Sequence, residues 1–225
     1  MRISKRFKNI IDREKKLYPD KSSLILLFNR IYKVSFLRFH NMKMNLKKDS
    51  TFQLEEDMYM CSLFPKKLLD IIIKDIKPMS ILDIGCGTGQ ALAYFIENEI
   101  NATGIENSAL AISKSPVKEK IIQHNLKKEL NLNKKFDLVW CFEVAEHIHP
   151  KYESVFMQSL MNHSDKIIIS AAKPGQGGHG HFNEKEPEYW IEKFIKSGYH
   201  YNAELTSKMK NTGETHAENI LFFEK

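Results

Sequence analysis

The stretch Ile-Leu-Asp-Ile-Gly-Cys-Gly-Thr-Gly at residues 81–89 constrains this chain more than any other. Apolar residues run into an acid, glycines follow at alternate positions, and a helix-like stretch opens at Gln90. Glycines there let the backbone adopt left-handed torsions and approach a ligand closely. A parallel α/β sheet binds its ligands at the carboxyl ends of its strands, where such a loop would lie. The spacing is Asp-x-Gly-x-Gly-x-Gly, which is not the G-x-G-x-x-G of a dinucleotide site, and the Lys-Ser/Thr pair of a phosphate-gripping P-loop is missing. A tight turn without a ligand is the competing reading.

The surrounding texture agrees with such a sheet. Short apolar runs at 81–84, 102–105, 120–123, 136–142 and 166–171 alternate with helical stretches at 90–98, 108–113 and 151–162. Nearly continuous apolar strands separated by helices imply a parallel sheet covered on both faces. A short helix is expected over 65–75, ended by Lys77-Pro78, because a residue before proline avoids the helical region. A further helix is expected over 187–196, with Gly198 as its terminator. Two late strands, 199–205 and 219–223, are expected to pair antiparallel through the polar stretch 206–218, with no helix between them. The domain boundary falls near residues 64–78, separating a basic helical extension or lid, 1–64, from the α/β domain, 65–225.

Charge divides the chain at a similar place. Lys and Arg outnumber Asp and Glu by 34 to 28 overall, yet residues 1–48 hold 14 against 3, leaving 20 against 25 in the remainder. Basicity thus belongs to the leader, either as a solvated helix face or as an arm for an anionic partner. Within it, aromatics interleave with Arg30, Lys33, Arg38 and His40, which are candidate binders of an acceptor's phosphate. A nucleic-acid binder would show the same interleaving. Three dispersed cysteines argue for a reducing compartment. No apolar run is long enough to span a bilayer and no signal peptide is evident, so a cytoplasmic location is expected.

The glycine loop resembles motif I of the class I S-adenosylmethionine-dependent methyltransferases, and the likeness extends over roughly residues 65–225. It implies a Rossmann-like, seven-stranded, mostly parallel sheet with helices on both faces and an antiparallel last strand. The implied cofactor is S-adenosylmethionine. Asp83, Gly85, Cys86, Gly87, Thr88 and Gly89 would cradle it. Glu106, at the end of the second strand, would accept hydrogen bonds from the ribose diol, assisted by Asn107. Asn125 and Leu126 would border the adenine, where the family often has an acid instead of Asn125. Phe142 and Glu143 would border the methionine part.

Two further motifs bear on chemistry. In Glu143-Val-Ala-Glu146-His147, a helical turn would bring two carboxylates and an imidazole together, a donor set suited to Mg, Mn or Zn. Similar Glu-x-x-Glu-His sequences occur in ubiquinone-biosynthesis O-methyltransferases and in small-RNA 3′-terminal 2′-O-methyltransferases. In the latter, a later histidine completes a metal site. Here His181 is the candidate for that place. The alternatives are His147 as general base and a structural role for the motif. The second motif is the glycine-rich Lys173–Asn183, which resembles a subgroup of small bacterial methyltransferases associated with surface-glycan biosynthesis. If it is extended, His179 and His181 point the same way. Candidate catalytic histidines are therefore His181, His147 and His179, while His124, His149, His163 and His200 read as surface or capping residues. His216 likewise reads as a residue without a role in chemistry.

A hydroxyl is a poor nucleophile at neutral pH, and histidine bases or a metal would help it. The expected function is O-methylation of a small-molecule, sugar or nucleotide-linked glycan precursor with an anionic character. The alternatives are a metal-dependent RNA 2′-O-methyltransferase and a non-catalytic cofactor-binding protein. The sequence leaves the oligomeric state open.

Overall fold

The computed structural model describes residues 64–225. The basic leader and its candidates Arg30, Lys33, Arg38 and His40 lie outside the described residues. Pro65 opens helix α1 (Lys66–Ile71), which continues as a π-helical turn over Ile72–Ile76. Lys77 stops it in the left-handed region, at φ 51° and ψ 50°. The expected boundary is therefore correct, but Lys77 ends the helix by a left-handed cap rather than by extended backbone.

The expected alternation follows as β1 (Ser80–Ile84), α2 (Gln90–Glu97), β2 (Asn101–Glu106), α3 (Ala109–Lys114), β3 (Ile121–Gln123), β4 (Leu138–Cys141), α4 (Glu153–Met161) and β5 (Lys166–Ser170). The chain ends with α5 (Pro187–Lys196), β6 (His200–Tyr201), α6 (Ala203–Lys210) and β7 (Ile220–Glu224). These strands form a seven-stranded sheet in the order β3-β2-β1-β4-β5-β7-β6. Strands β1 to β5 pair in parallel, and β7 runs antiparallel to both of its neighbours.

Alternation along the central strands divides the core between the two faces. Leu82, Val139, Ile167 and Ile169 pack with Phe156 and Leu160 of α4 and Trp190 and Phe194 of α5. Ile81, Trp140 and Ile168 pack on the opposite face with Leu68 and Leu69 of α1, Leu92 and Phe95 of α2, and Met209 of α6. Burying both faces explains why the strands read as unbroken apolar runs.

One expectation fails at the C-terminus. The segment after β6 does not cross directly to β7; it forms α6. The Asn202 side chain accepts the Leu205 N–H at 2.9 Å and caps the helix. Thr206 and Met209 are its buried contacts. Two such anchors in a mostly polar helix leave little apolar periodicity to read.

Candidate functional site

The glycine loop connects the carboxyl end of β1 to α2. Its amides at Gly85 and Cys86 donate to the Ile105 carbonyl, at 2.8 and 3.1 Å, which binds the loop to the end of β2. Gly85, Gly87 and Gly89 all have positive φ, which is why this turn demands glycine. A Cβ at Gly87 would meet nothing within 4 Å, so the loop leaves open space beside its backbone there.

Glu106 closes the other side. Its Oε2 accepts the Gly87 N–H at 2.9 Å, and its Oε1 accepts from Asn107 and Ser108 at 2.8 and 2.7 Å. The ring of amides aligns an acceptor-rich carboxylate with the loop, and Oε2 keeps a further lone pair for a donor. Asp83 is buried, and its Oδ2 has no hydrogen-bond partner. Burial, then the charge of Glu106, push its pKa up to about 8. An open glycine cradle, an orphaned buried acid and a strand-end carboxylate fit S-adenosylmethionine. Asn107 flanks them, donating its backbone N–H to Glu106 and accepting from Gln123 Nε2 at its carbonyl, at 3.1 Å. Asn125 Oδ1 accepts the Lys127 N–H at 3.0 Å, so one of its acceptor sites serves a local turn. Leu126 is buried in the core. Phe142 stacks on Trp140, with ring centroids 5.1 Å apart. Thr88 is buried, and burial pushes the Cys86 thiol up, which disfavours its thiolate.

Beyond β4 the backbone departs from the helical reading. Glu143 takes a left-handed conformation at φ 55°, and only Ala145–His147 form a short 3-10 turn. Left-handed torsions are uncommon outside glycine and are held by their surroundings. Ser170 supplies the hold: its Oγ accepts the Glu143 N–H at 2.7 Å and donates to Glu143 Oε1 at 2.9 Å. Asn219 Nδ2 also donates to that oxygen, at 3.2 Å, and His216 Nδ1 lies 3.4 Å from Oε2. Gln176 bridges the same group, 3.0 Å from Asn219 and 3.2 Å from His216.

Glu143 stays close enough to act on Glu146, yet it is outside the cluster of candidate metal ligands. The cluster with donor atoms within 4.8 Å of one another is Glu146, His147 and His181. The expected four-residue set thus contracts to three in this geometry. Both Glu146 oxygens are buried without a hydrogen-bond partner. Burial, and then the Glu143 carboxylate, push the Glu146 carboxyl far above its ordinary range. Burial first, then His181, hold His147 down to about 3, so its imidazole is neutral at physiological pH. The His147 and His181 rings meet edge to face, with centroids 4.9 Å apart. An orphaned carboxylate beside two imidazoles is a donor set that a divalent cation would complete.

The glycine-rich loop is folded by protein contacts. Glu184 accepts from the amides of Gly175 and Gly177 at 2.8 and 2.7 Å, and its Oε1 lies 2.9 Å from His181 Nδ1. Burial opposes charge on Glu184, but the bonds from His181 and the two amides hold its carboxyl below the ordinary range. The amides of Phe182 and Asn183 donate to the Glu146 carbonyl, at 2.8 and 3.0 Å. His179 is buried in a turn ended by Gly180 at φ 72°, so the extended backbone expected between it and His181 is not formed. His179 stays close enough to disfavour charge on His147, but it is outside the three-residue cluster.

Two readings of other histidines change as well. His163 is buried, with Nδ1 2.6 Å from the Ser159 carbonyl and Nε2 accepting the Leu132 N–H at 3.1 Å. It is a core residue, not a surface one. His216 belongs to the site surroundings, as do Ser170, Gln176, Glu184 and Asn219, none of which the sequence singled out for chemistry. Topology is the signal that could have found the C-terminal pair. Ser170 is in register with Ile220, so an antiparallel last strand brings its entry to the carboxyl edge of the parallel strands.

Comparison with known proteins agrees with this geometry. A family profile described as "Methyltransferase domain" matches residues 55–166. The ubiquinone biosynthesis O-methyltransferase of Rickettsia typhi is 31% identical over 96 residues, covering 40% of this chain and 38% of that protein. The chain thus matches well under half the length of that curated relative. Among solved structures, the methyltransferase domain of bacterial CtHen1 superposes with a TM-score of 0.54 at 17% identity, covering 73% of this chain and all of that one, 100%. Burkholderia thailandensis 1,6-didemethyltoxoflavin-N1-methyltransferase, solved with its acceptor and S-adenosylhomocysteine, gives 0.54 at 14% identity, covering 71% and 77%. With the glycine loop, Glu106 and the sheet order in place, these likenesses lead to one conclusion: the chain carries a methyltransferase domain, on the Rossmann-like seven-stranded fold of the class I S-adenosylmethionine-dependent methyltransferases.

Proposed function

We propose that the protein is an S-adenosylmethionine-dependent O-methyltransferase whose acceptor hydroxyl is activated at Glu146, His147 and His181. The observation that carries this reading is the buried Glu146 carboxylate, unpartnered beside two imidazoles at the carboxyl edge of the sheet. S-adenosylmethionine would supply an electrophilic methyl on a sulfonium, and methyl transfer needs an in-line approach in a water-excluded site. Gly87 and Glu106 would hold the cofactor, and the Glu143 end of β4 would border its methionine. A divalent cation (Mg, Mn or Zn) held by Glu146, His147 and His181 would lower the pKa of the acceptor hydroxyl.

The acceptor we favour is a small molecule, such as a sugar or a nucleotide-linked glycan precursor. Its anionic group would meet the basic leader, including Arg30, Lys33, Arg38 and His40. The same three-residue cluster could serve the terminal 2′-hydroxyl of an RNA, and affinity falling steeply with salt would identify that case. Among the described residues, no helix is long and apolar enough to cross a membrane.

The test is methyl transfer from radiolabelled S-adenosylmethionine to fractionated small-molecule and RNA extracts, with and without a chelator. Label should enter a small-molecule hydroxyl, and chelation or His181→Ala should lower the rate at least ~100-fold. Full turnover by both His181→Ala and His147→Ala would contradict the assignment.

A further inference from the structure

The proposed function uses His181 but leaves open what determines which of its ring nitrogens carries the proton. Each oxygen of Glu184 already accepts an amide hydrogen, Oε2 from Gly175 and Oε1 from Gly177. Oε1 therefore faces His181 Nδ1 as an acceptor, at 2.9 Å, and Nδ1 must be the donor. In the neutral ring the lone pair then lies on Nε2. Gly178 lies against the ring: a Cβ there would come within 2.2 Å of Nε2, so a larger residue would overlap the imidazole and displace it. The same loop governs His147, whose Nδ1 lies 3.1 Å from the Gly180 carbonyl. A carbonyl only accepts, so Nδ1 of His147 is also the donor.

We propose that Glu184 is a positioning residue, which folds the glycine-rich loop and fixes His181 with its proton on Nδ1 and its lone pair on Nε2. The inference rests on the proposed function only for what Nε2 then does. Without the carboxylate, an imidazole in water prefers its proton on Nε2, the wrong nitrogen for a base or ligand at that position. Four glycines between 175 and 180 would also have no common anchor, and ordering them costs conformational entropy.

The experiment is a long-range proton–nitrogen correlation spectrum of the full-length, nitrogen-15-labelled chain at pH 8, with His181 assigned by the signal lost in His181→Gln. Wild type should show the Nδ1-protonated tautomer at His181. Glu184→Ala should shift it towards the Nε2-protonated form and raise amide exchange at Gly175 and Gly177 by about tenfold or more. Glu184→Gln retains a carbonyl acceptor and should restore the Nδ1 proton. Affinity for S-adenosylhomocysteine should stay within about twofold in both variants, because Glu184 does not contact the glycine loop of the cofactor. A wild-type His181 protonated on Nε2, or an unchanged tautomer in Glu184→Ala, would overturn the inference. Should Glu184→Ala fail to fold, the wild-type tautomer alone decides. A chain that transfers no methyl group yet shows the Nδ1 proton refutes the proposed function and leaves this inference standing.

Discussion

Single residues carry contradictory demands at this site. Glu146 is buried with neither oxygen bonded, an arrangement that opposes folding. Nothing in core packing calls for an acid there, which is why the residue points to chemistry. Glu146→Gln removes the cost of neutralising a buried acid on folding and should raise stability of the cation-free protein at pH 7 by about 1–3 kcal/mol, while abolishing methyl transfer. Calorimetry beside an activity assay checks this, and a destabilised but active variant would contradict it. Gly178 gives a second residue-scale prediction. Its backbone is not left-handed, so Gly178→Ala carries no left-handed penalty, and the three atoms nearest its Cβ all belong to His181. It should lower turnover at least ~10-fold, with a stability loss of about 1–3 kcal/mol, as measured by kinetics and melting. Gly177→Ala inverts the balance: its Cβ meets nothing, and its cost is the φ of 66°. The grouping of Glu146, His147 and His181 was legible as a candidate because their residue types and spacing are unusual. Their geometry was not, because the left-handed backbone at Glu143 leaves no periodic trace.

At the scale of elements, Glu153 at the start of α4 holds that helix to the following loop and to α5. It accepts from Asn183 at 2.7 Å and from Tyr189 at 2.7 Å, and its Oε1 lies 2.6 Å from Lys193 Nζ. Burial disfavours its charge, but the bonds from Asn183, Lys193 and Tyr189 outweigh that and hold its pKa below the ordinary value. A depressed carboxylate stabilises the fold above its unfolded pKa, and that contribution fades as pH falls through the folded value. Wild type should therefore lose stability below about pH 4.5 more steeply than Glu153→Gln, which lacks the titrating group. Denaturant titrations across pH 3–7 check this, with Glu153→Gln about 2–4 kcal/mol less stable at pH 7. Helix α6 offers an independent test. Asn202→Ala should cost about 1 kcal/mol through loss of its cap. That helix was missed because Thr206 and Met209 are its buried side chains. Its capping Asn202, first-turn Glu204 and last-turn Lys208 and Lys210 were nevertheless present as start and stop signals. The central strands β1, β4 and β5 were legible, since two buried faces make each one nearly continuously apolar.

The whole molecule assembles a site from segments distant in sequence. The parallel strands end at one edge, and the reversed last strand starts at that same edge, which brings His216 and Asn219 to Glu143 across more than seventy residues, a separation of 76 for Asn219. No local pattern encodes that meeting; only the sheet order does. The account therefore stands on a cofactor loop and an acid–imidazole cluster sharing one edge of one sheet. Anomalous diffraction from crystals grown with S-adenosylhomocysteine and soaked in manganese chloride tests this most directly. The account predicts the nucleoside beside Gly87 and Glu106, with a manganese peak bonded to Glu146, His147 and His181. A map with the nucleoside in that place and no peak at the three residues would contradict it.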